Sequence, residues 1–125
     1  MAAHILILDD DLPTIEMMRM VLEGEGLYQV TTVQTLFEDL REIEHLHPDL
    51  ILLDFSFGGH QLGGVYLQKL KQTRATMTIP VIVCTAFFRE EQEQDLLQKG
   101  ISVLHKPFDI DEFLILVKKQ LAHLA

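Results

Sequence analysis

Tryptophan is absent from this 125-residue chain, cysteine occurs once, and ten lysines and arginines face nineteen aspartates and glutamates. A single cysteine excludes a disulfide within the chain. Cys84 lies inside the apolar run PVIVC, the setting of a small buried residue and not of a reactive thiol. The net charge of −9 argues against direct nucleic-acid contact, because gripping phosphates needs a basic patch that displaces counterions. Any effect on DNA would have to pass through a partner. There is no secretory h-region and no apolar run long enough to span a bilayer, so a cytoplasmic location away from membrane is expected. Neither GxxxxGK nor GxGxxG occurs, which removes the phosphate-cradling and dinucleotide loops. The six histidines, His4, His45, His47, His60, His105 and His123, show no chelating pair at helical spacing.

What is present is apolar, regular and the size of one domain, so residues 1–125 are read as a single unit with 48% hydrophobic residues. Short apolar runs alternate with segments of helical period, the pattern of repeated βα units. Strands are expected near 4–8, 28–33, 49–53, 80–84 and 101–105, and helices near 12–25, 35–46, 64–74, 88–99 and 109–123. Consecutive Ile, Leu and Val within the strands suit a parallel sheet buried on both faces. Asp11 is placed to cap the first helix, with Pro13 in its first turn. Thr35 with Glu38, and Asp109 with Glu112, have capping-box spacing. After Asp54, FSFGGHQLGG packs four glycines into a short stretch and should form a mobile loop.

Four of the apolar runs stop at a polar group. HILILDDD ends on Asp9, Asp10 and Asp11, DLILLD on Asp54, PVIVCTA on Thr85, and SVLHKPF on Lys106. In a parallel α/β sheet all strand carboxyl ends share one edge, where ligands bind. Carboxylates, a hydroxyl and an ammonium gathered there suit a phosphoryl group and a divalent metal. A carboxylate accepts a phosphoryl group if charge on the transferring oxygens is neutralised, and a hard dication with a lysine supplies that. Mg²⁺ takes oxygen ligands and keeps several waters, so a few carboxylates suffice. Without the ion the carboxylates repel, by about 1 kcal/mol for a pair ~4 Å apart even in water.

Taken in order, the acidic pair, the aspartate, the Thr-Ala and the Lys-Pro-Phe resemble the receiver domain of two-component response regulators over essentially the whole chain. The resemblance implies a doubly wound (βα)₅ flavodoxin-like three-layer sandwich with a five-stranded parallel sheet. It implies that Asp54 accepts a phosphoryl group from a histidine kinase or phosphotransfer protein and then switches the domain's affinity for an effector or output domain, and it allows a homodimer. Mg²⁺ would be held by Asp10 directly, by Asp9 through water, by Asp54 and by the backbone carbonyl of Ser56, while Thr85 and Lys106 sense the phosphate. Such a domain is a switch more than an enzyme, although it assists its own phosphorylation and dephosphorylation. Two rivals stay open. One is a receiver-like binding module that is never phosphorylated. The other is a haloacid-dehalogenase-type phosphatase with Asp9 as nucleophile and Asp11 as acid.

The chain departs from the family pattern in three places. Gly58 stands where a proline is usual, and the loop before the next helix is about two residues longer. Val103 replaces the aromatic residue three positions before the lysine. A valine cannot swing across the surface as a ring does, so the aromatic role is expected to move to the Phe87–Phe88 pair.

Overall fold

A computed structural model of the chain describes residues 2–57, 62–86 and 89–122. Ten elements alternate strictly: β1 (Ala3–Leu8), α1 (Leu12–Gly24), β2 (Tyr28–Val33), α2 (Arg41–Leu46), β3 (Leu50–Asp54), α3 (Leu62–Gln72), β4 (Val81–Thr85), α4 (Glu90–Gln98), β5 (Ser102–His105) and α5 (Ile110–Leu121). The strands form one parallel sheet in the order β2-β1-β3-β4-β5. The chain winds outward from β1 to β2, then returns to the other side of β1 to lay down β3, β4 and β5. That reversal opens a crevice between the carboxyl ends of β1 and β3.

Near-continuous apolar runs make the central strands, and both faces of the sheet are covered. Ile5, Ile7, Leu50, Leu52, Ile82, Cys84 and Leu104 point toward α1 and α5, where they meet Ile15, Met18, Leu22, Phe113 and Val117. Leu6, Leu8, Ile51, Leu53, Val81 and Val83 point the other way, onto Ile43 of α2, Leu67 and Leu70 of α3 and Leu96 of α4. This is the doubly wound (βα)₅ sandwich, with helices packed on both faces of the sheet. Cys84 is buried at the centre, and burial pushes its thiol up to about 12. Among the described residues no helix is long and apolar enough to cross a membrane.

The strands fall within a residue of their expected bounds, but three helix starts move, α4 beginning at Glu90, two residues later than expected. The Asp11 carboxylate caps α1 through the Thr14 N–H and hydroxyl, and Asp109 caps α5 by accepting from the Asp111 N–H at 2.7 Å. No such cap forms at Thr35, because α2 begins only at Arg41 with Leu40 at its N-cap. Leu40 is buried in the core and the Phe37 carbonyl accepts from the Tyr66 hydroxyl at 2.9 Å, so tertiary contacts hold residues 36–40 outside the helix. Helix α3 starts at Leu62, two residues earlier than expected, and takes in both Gly63 and Gly64. Gly58, the rest of the expected mobile loop through Gln61, and the Phe87–Phe88 pair lie outside the described residues.

Candidate functional site

The crevice between β1 and β3 gathers the acidic set. Asp9 and Asp10 follow β1 directly, Asp54 is the last residue of β3, and carboxylate oxygens of all three lie within 4.8 Å of one another. Asp9 and Asp54 are buried, at 1% and 5% exposure, while Asp10 faces solvent. The sheet register explains the convergence. Leu8 pairs with Leu53, so the residues that follow each strand emerge side by side.

Lys106 enters from the end of β5. Its Nζ donates to Asp9 Oδ2 at 2.9 Å and lies 3.6 Å from Asp54 Oδ1, so its nearer partner is Asp9 and not the β3 aspartate. The Lys106 N–H donates to the Thr85 carbonyl at 2.7 Å, which ties the ends of β4 and β5 together. Thr85 itself is buried, at the tip of β4. Asp9 is held on both oxygens: Oδ1 accepts from the Asp11 N–H at 2.9 Å and Oδ2 from Lys106. Asp54 Oδ1 accepts from the Ser56 N–H at 3.1 Å, and the Phe55 N–H donates to the Cys84 carbonyl at 2.9 Å. The turn after β3 is therefore fastened to β4 and aims the carboxylate into the crevice.

These contacts set opposing proton affinities. Burial raises Asp54 first, the Asp9 charge raises it further, and Lys106 and the Ser56 N–H offset part of this, leaving it near 6. Burial pulls Lys106 down, but the hydrogen bond to Asp9 and the charges of Asp9 and Asp54 outweigh it, so it is raised and stays an ammonium. Three carboxylates facing one lysine leave surplus negative charge on hard oxygen donors, which suits a small divalent cation. Asp11 belongs to the helix cap instead. Its hydrogen bond from the Thr14 hydroxyl holds its carboxyl below the usual range.

A family model for the response regulator receiver domain matches residues 5–118. The chain belongs to the response regulator receiver family. The receiver is 33% identical over 119 residues to the phosphate regulon transcriptional regulatory protein PhoB of Escherichia coli, covering 94% of this chain and 51% of that protein. It thus spans about half the length of PhoB. Against the polar-differentiation response regulator DivK of Brucella ovis it is 28% identical, covering 97% of this chain and 98% of the relative. Among solved structures, a putative response regulator from Chloroflexus aurantiacus superposes with a TM-score of 0.83 at 30% identity, covering 98% and 99% of the two chains. The phosphoacceptor role comes with this membership, and nothing found favours a phosphatase or an unphosphorylated module.

Reading the residues one by one identifies the members of the crevice but not two of its supports. His105, one residue before the lysine, lies 2.8 Å through Nε2 from Glu93 Oε1 and joins β5 to α4. A contact between side chains twelve residues apart carries no local signal. Gly63 packs against the turn after β3, and here a signal exists: glycine inside a helix is unfavourable and marks a close approach.

Proposed function

We propose that Asp54 is the phosphoryl acceptor of this receiver, that Asp9, Asp10, Asp54 and the Ser56 carbonyl hold Mg²⁺, and that Thr85 and Lys106 sense the phosphoryl group. The observation that carries the reading is the buried Asp54 carboxylate, at the switch point of the sheet, facing two further aspartates and a lysine. Asp9, occupied on both oxygens, suits a ligand acting through water, and exposed Asp10 suits a direct one. When bound, Mg²⁺ neutralises charge gathering on the transferring oxygens. In transfer, an oxygen of ionised Asp54 attacks phosphorus of a phosphohistidine. The P–N bond breaks, its electron pair leaves on the imidazole nitrogen, and an aspartyl phosphate is formed. In the reverse direction of signalling, water attacks phosphorus, the acyl P–O bond breaks and the carboxylate returns with inorganic phosphate. Lys106, already an ammonium between Asp9 and Asp54, moves with the new charge, and the Thr85 hydroxyl at the end of β4 reports it to the sheet edge.

Residues 1–125 act in this reading as one receiver domain, served by a histidine kinase or phosphotransfer protein and read by an output domain or effector. Incubation with Mg²⁺ and acetyl phosphate should add one phosphoryl group, mapped to Asp54 after borohydride trapping and lost in Asp54→Asn. Label on Asp9 would instead support the phosphatase.

A further inference from the structure

The peptide joining Asp54 to Phe55 is gripped from two sides. On one side the Phe55 N–H donates to the Cys84 carbonyl of β4 at 2.9 Å. On the other side stands Gly63, in the first turn of α3. A β-carbon built on Gly63 would sit 2.5 Å from Phe55 Cα, 2.7 Å from the Asp54 carbonyl oxygen and 2.8 Å from the Phe55 carbonyl oxygen. All three neighbours are main chain, so no side-chain rotation makes room. The adjacent Gly64 differs. Its added β-carbon meets only the tip of the Phe55 ring, at 3.3 Å, which a small ring movement accommodates.

We infer that Gly63 is a positioning residue for the acceptor: its missing side chain lets the start of α3 press the Asp54–Phe55 peptide against β4 and fixes where the Asp54 carboxylate points. The inference rests on Asp54 being the acceptor. The mechanical link is short. Asp54 Oδ1 accepts from the Ser56 N–H at 3.1 Å, so the carboxylate and the main chain of residues 54–56 move as one turn. Backing α3 away to ordinary contact distance requires a shift of roughly 1 Å. A misplacement of about that size at a reacting group can cost on the order of 100-fold in rate. The same movement would shift the Ser56 carbonyl relative to Asp10, weakening the metal site together with the transfer.

The test compares Gly63→Ala with Gly64→Ala in the full chain. Both replace glycine by alanine inside the same helix and gain the same helix propensity, so they differ in what the methyl group meets. Phosphoryl uptake from acetyl phosphate is followed across Mg²⁺ concentrations, and Mg²⁺ affinity is read separately by calorimetry. Expected for Gly63→Ala is a 10- to 100-fold slower uptake with at least fivefold weaker Mg²⁺ binding, and amide shifts centred on residues 53–57. Gly64→Ala should stay within twofold of the parent in both. If Gly63→Ala is partly unfolded, trimethylamine N-oxide restores the folded fraction, read by circular dichroism, and rates are compared per folded molecule. Parent-like uptake and Mg²⁺ affinity in Gly63→Ala, or an equal loss in both variants, overturns the inference while leaving Asp54 as the acceptor. A parent protein that takes up no label at Asp54 overturns the acceptor reading and this inference with it.

Discussion

The two helical layers of this receiver are built differently, although both pack on the same largely apolar central strands. On one face, α1 and α5 are 13 and 12 residues long and each is capped by an aspartate side chain. They bury Ile15, Met18, Leu22, Phe113 and Val117. On the other face, α2 and α4 run for only 6 and 9 residues, neither has a side-chain cap, and each buries a single residue, Ile43 and Leu96. A groove of about 630 Å³ separates α3 from α4, with Phe55, Leu67, Leu96 and Ile101 among its walls. Helix α3 on this face is longer and buries Tyr66, Leu67 and Leu70, and Val103, where an aromatic is usual in the family, belongs to the same buried cluster as Leu96 and Ile101. Elements with few buried contacts open at low free energy, so rearrangement on phosphorylation is expected on the α4 face while α1 and α5 hold still.

The largest test of that contrast removes the same side chain from each layer. Leu22→Ala in α1 should cost about 3–4 kcal/mol, near the middle of the range for fully buried leucines. Leu96→Ala in α4 should cost about 2 kcal/mol, because its surroundings are looser and can collapse into the gap. Urea unfolding measures both. Hydrogen exchange should show the Leu96 loss as opening confined to α4, and equal global losses would erase the distinction between the layers.

A second test acts where the layers meet, at Asp54. Its folded proton affinity is raised from 3.8 to about 6, so between those values the folded state holds more protons than the unfolded one. Stability without metal should therefore increase as pH falls from 7 toward 4, by up to about 3 kcal/mol from this residue. That is the reverse of an ordinary ion-paired aspartate. Asp54→Asn should flatten the rise, and Mg²⁺ at pH 7 should raise the melting temperature of the parent by binding only the folded state. The same pH dependence between 7 and 4 in the parent and in Asp54→Asn would show that burial does not raise Asp54.

How much of this was readable beforehand depends on how local each cause is. The five strands and the cap at Asp11 follow from consecutive side chains, and they landed within a residue. The gathering of Asp9, Asp10, Asp54, Thr85 and Lys106 at one edge follows from reading a parallel sheet, whereas the sheet order is implied only by the resemblance, because periodicity does not say which strand neighbours which. The false start of α2 has the opposite character. Thr35 and Glu38 have the right spacing, but Leu40 is worth more in the core, and Tyr66 claims the Phe37 carbonyl from another helix. Lys106 choosing Asp9 over Asp54, and Gly63 meeting Phe55, are distances between segments that no spacing rule encodes.

The smallest test strengthens α4 instead of damaging it. Arg89 occupies the N-cap of α4 with extended backbone, φ −84° and ψ 139°, which is the geometry a capping residue adopts, yet its side chain makes no cap hydrogen bond. A serine there can accept from the exposed N–H groups of the first turn, and loss of the guanidinium removes a cation from the positive end of the helix dipole. An aspartate would cap as well but would add to the charge of Glu90, Glu91 and Glu93, so serine is the cleaner choice. Arg89→Ser should gain about 0.5–1 kcal/mol, seen in urea unfolding and as slower exchange in α4 alone. If α4 is the element that yields, this added stability must be overcome when it moves, so the amide-shift response to beryllofluoride should shrink in α4 and β5 while phosphoryl uptake at Asp54 stays close to that of the parent. An undiminished response in a measurably stabilised α4 would move the adjustable element elsewhere on that face, to α3 or to the turns that flank it.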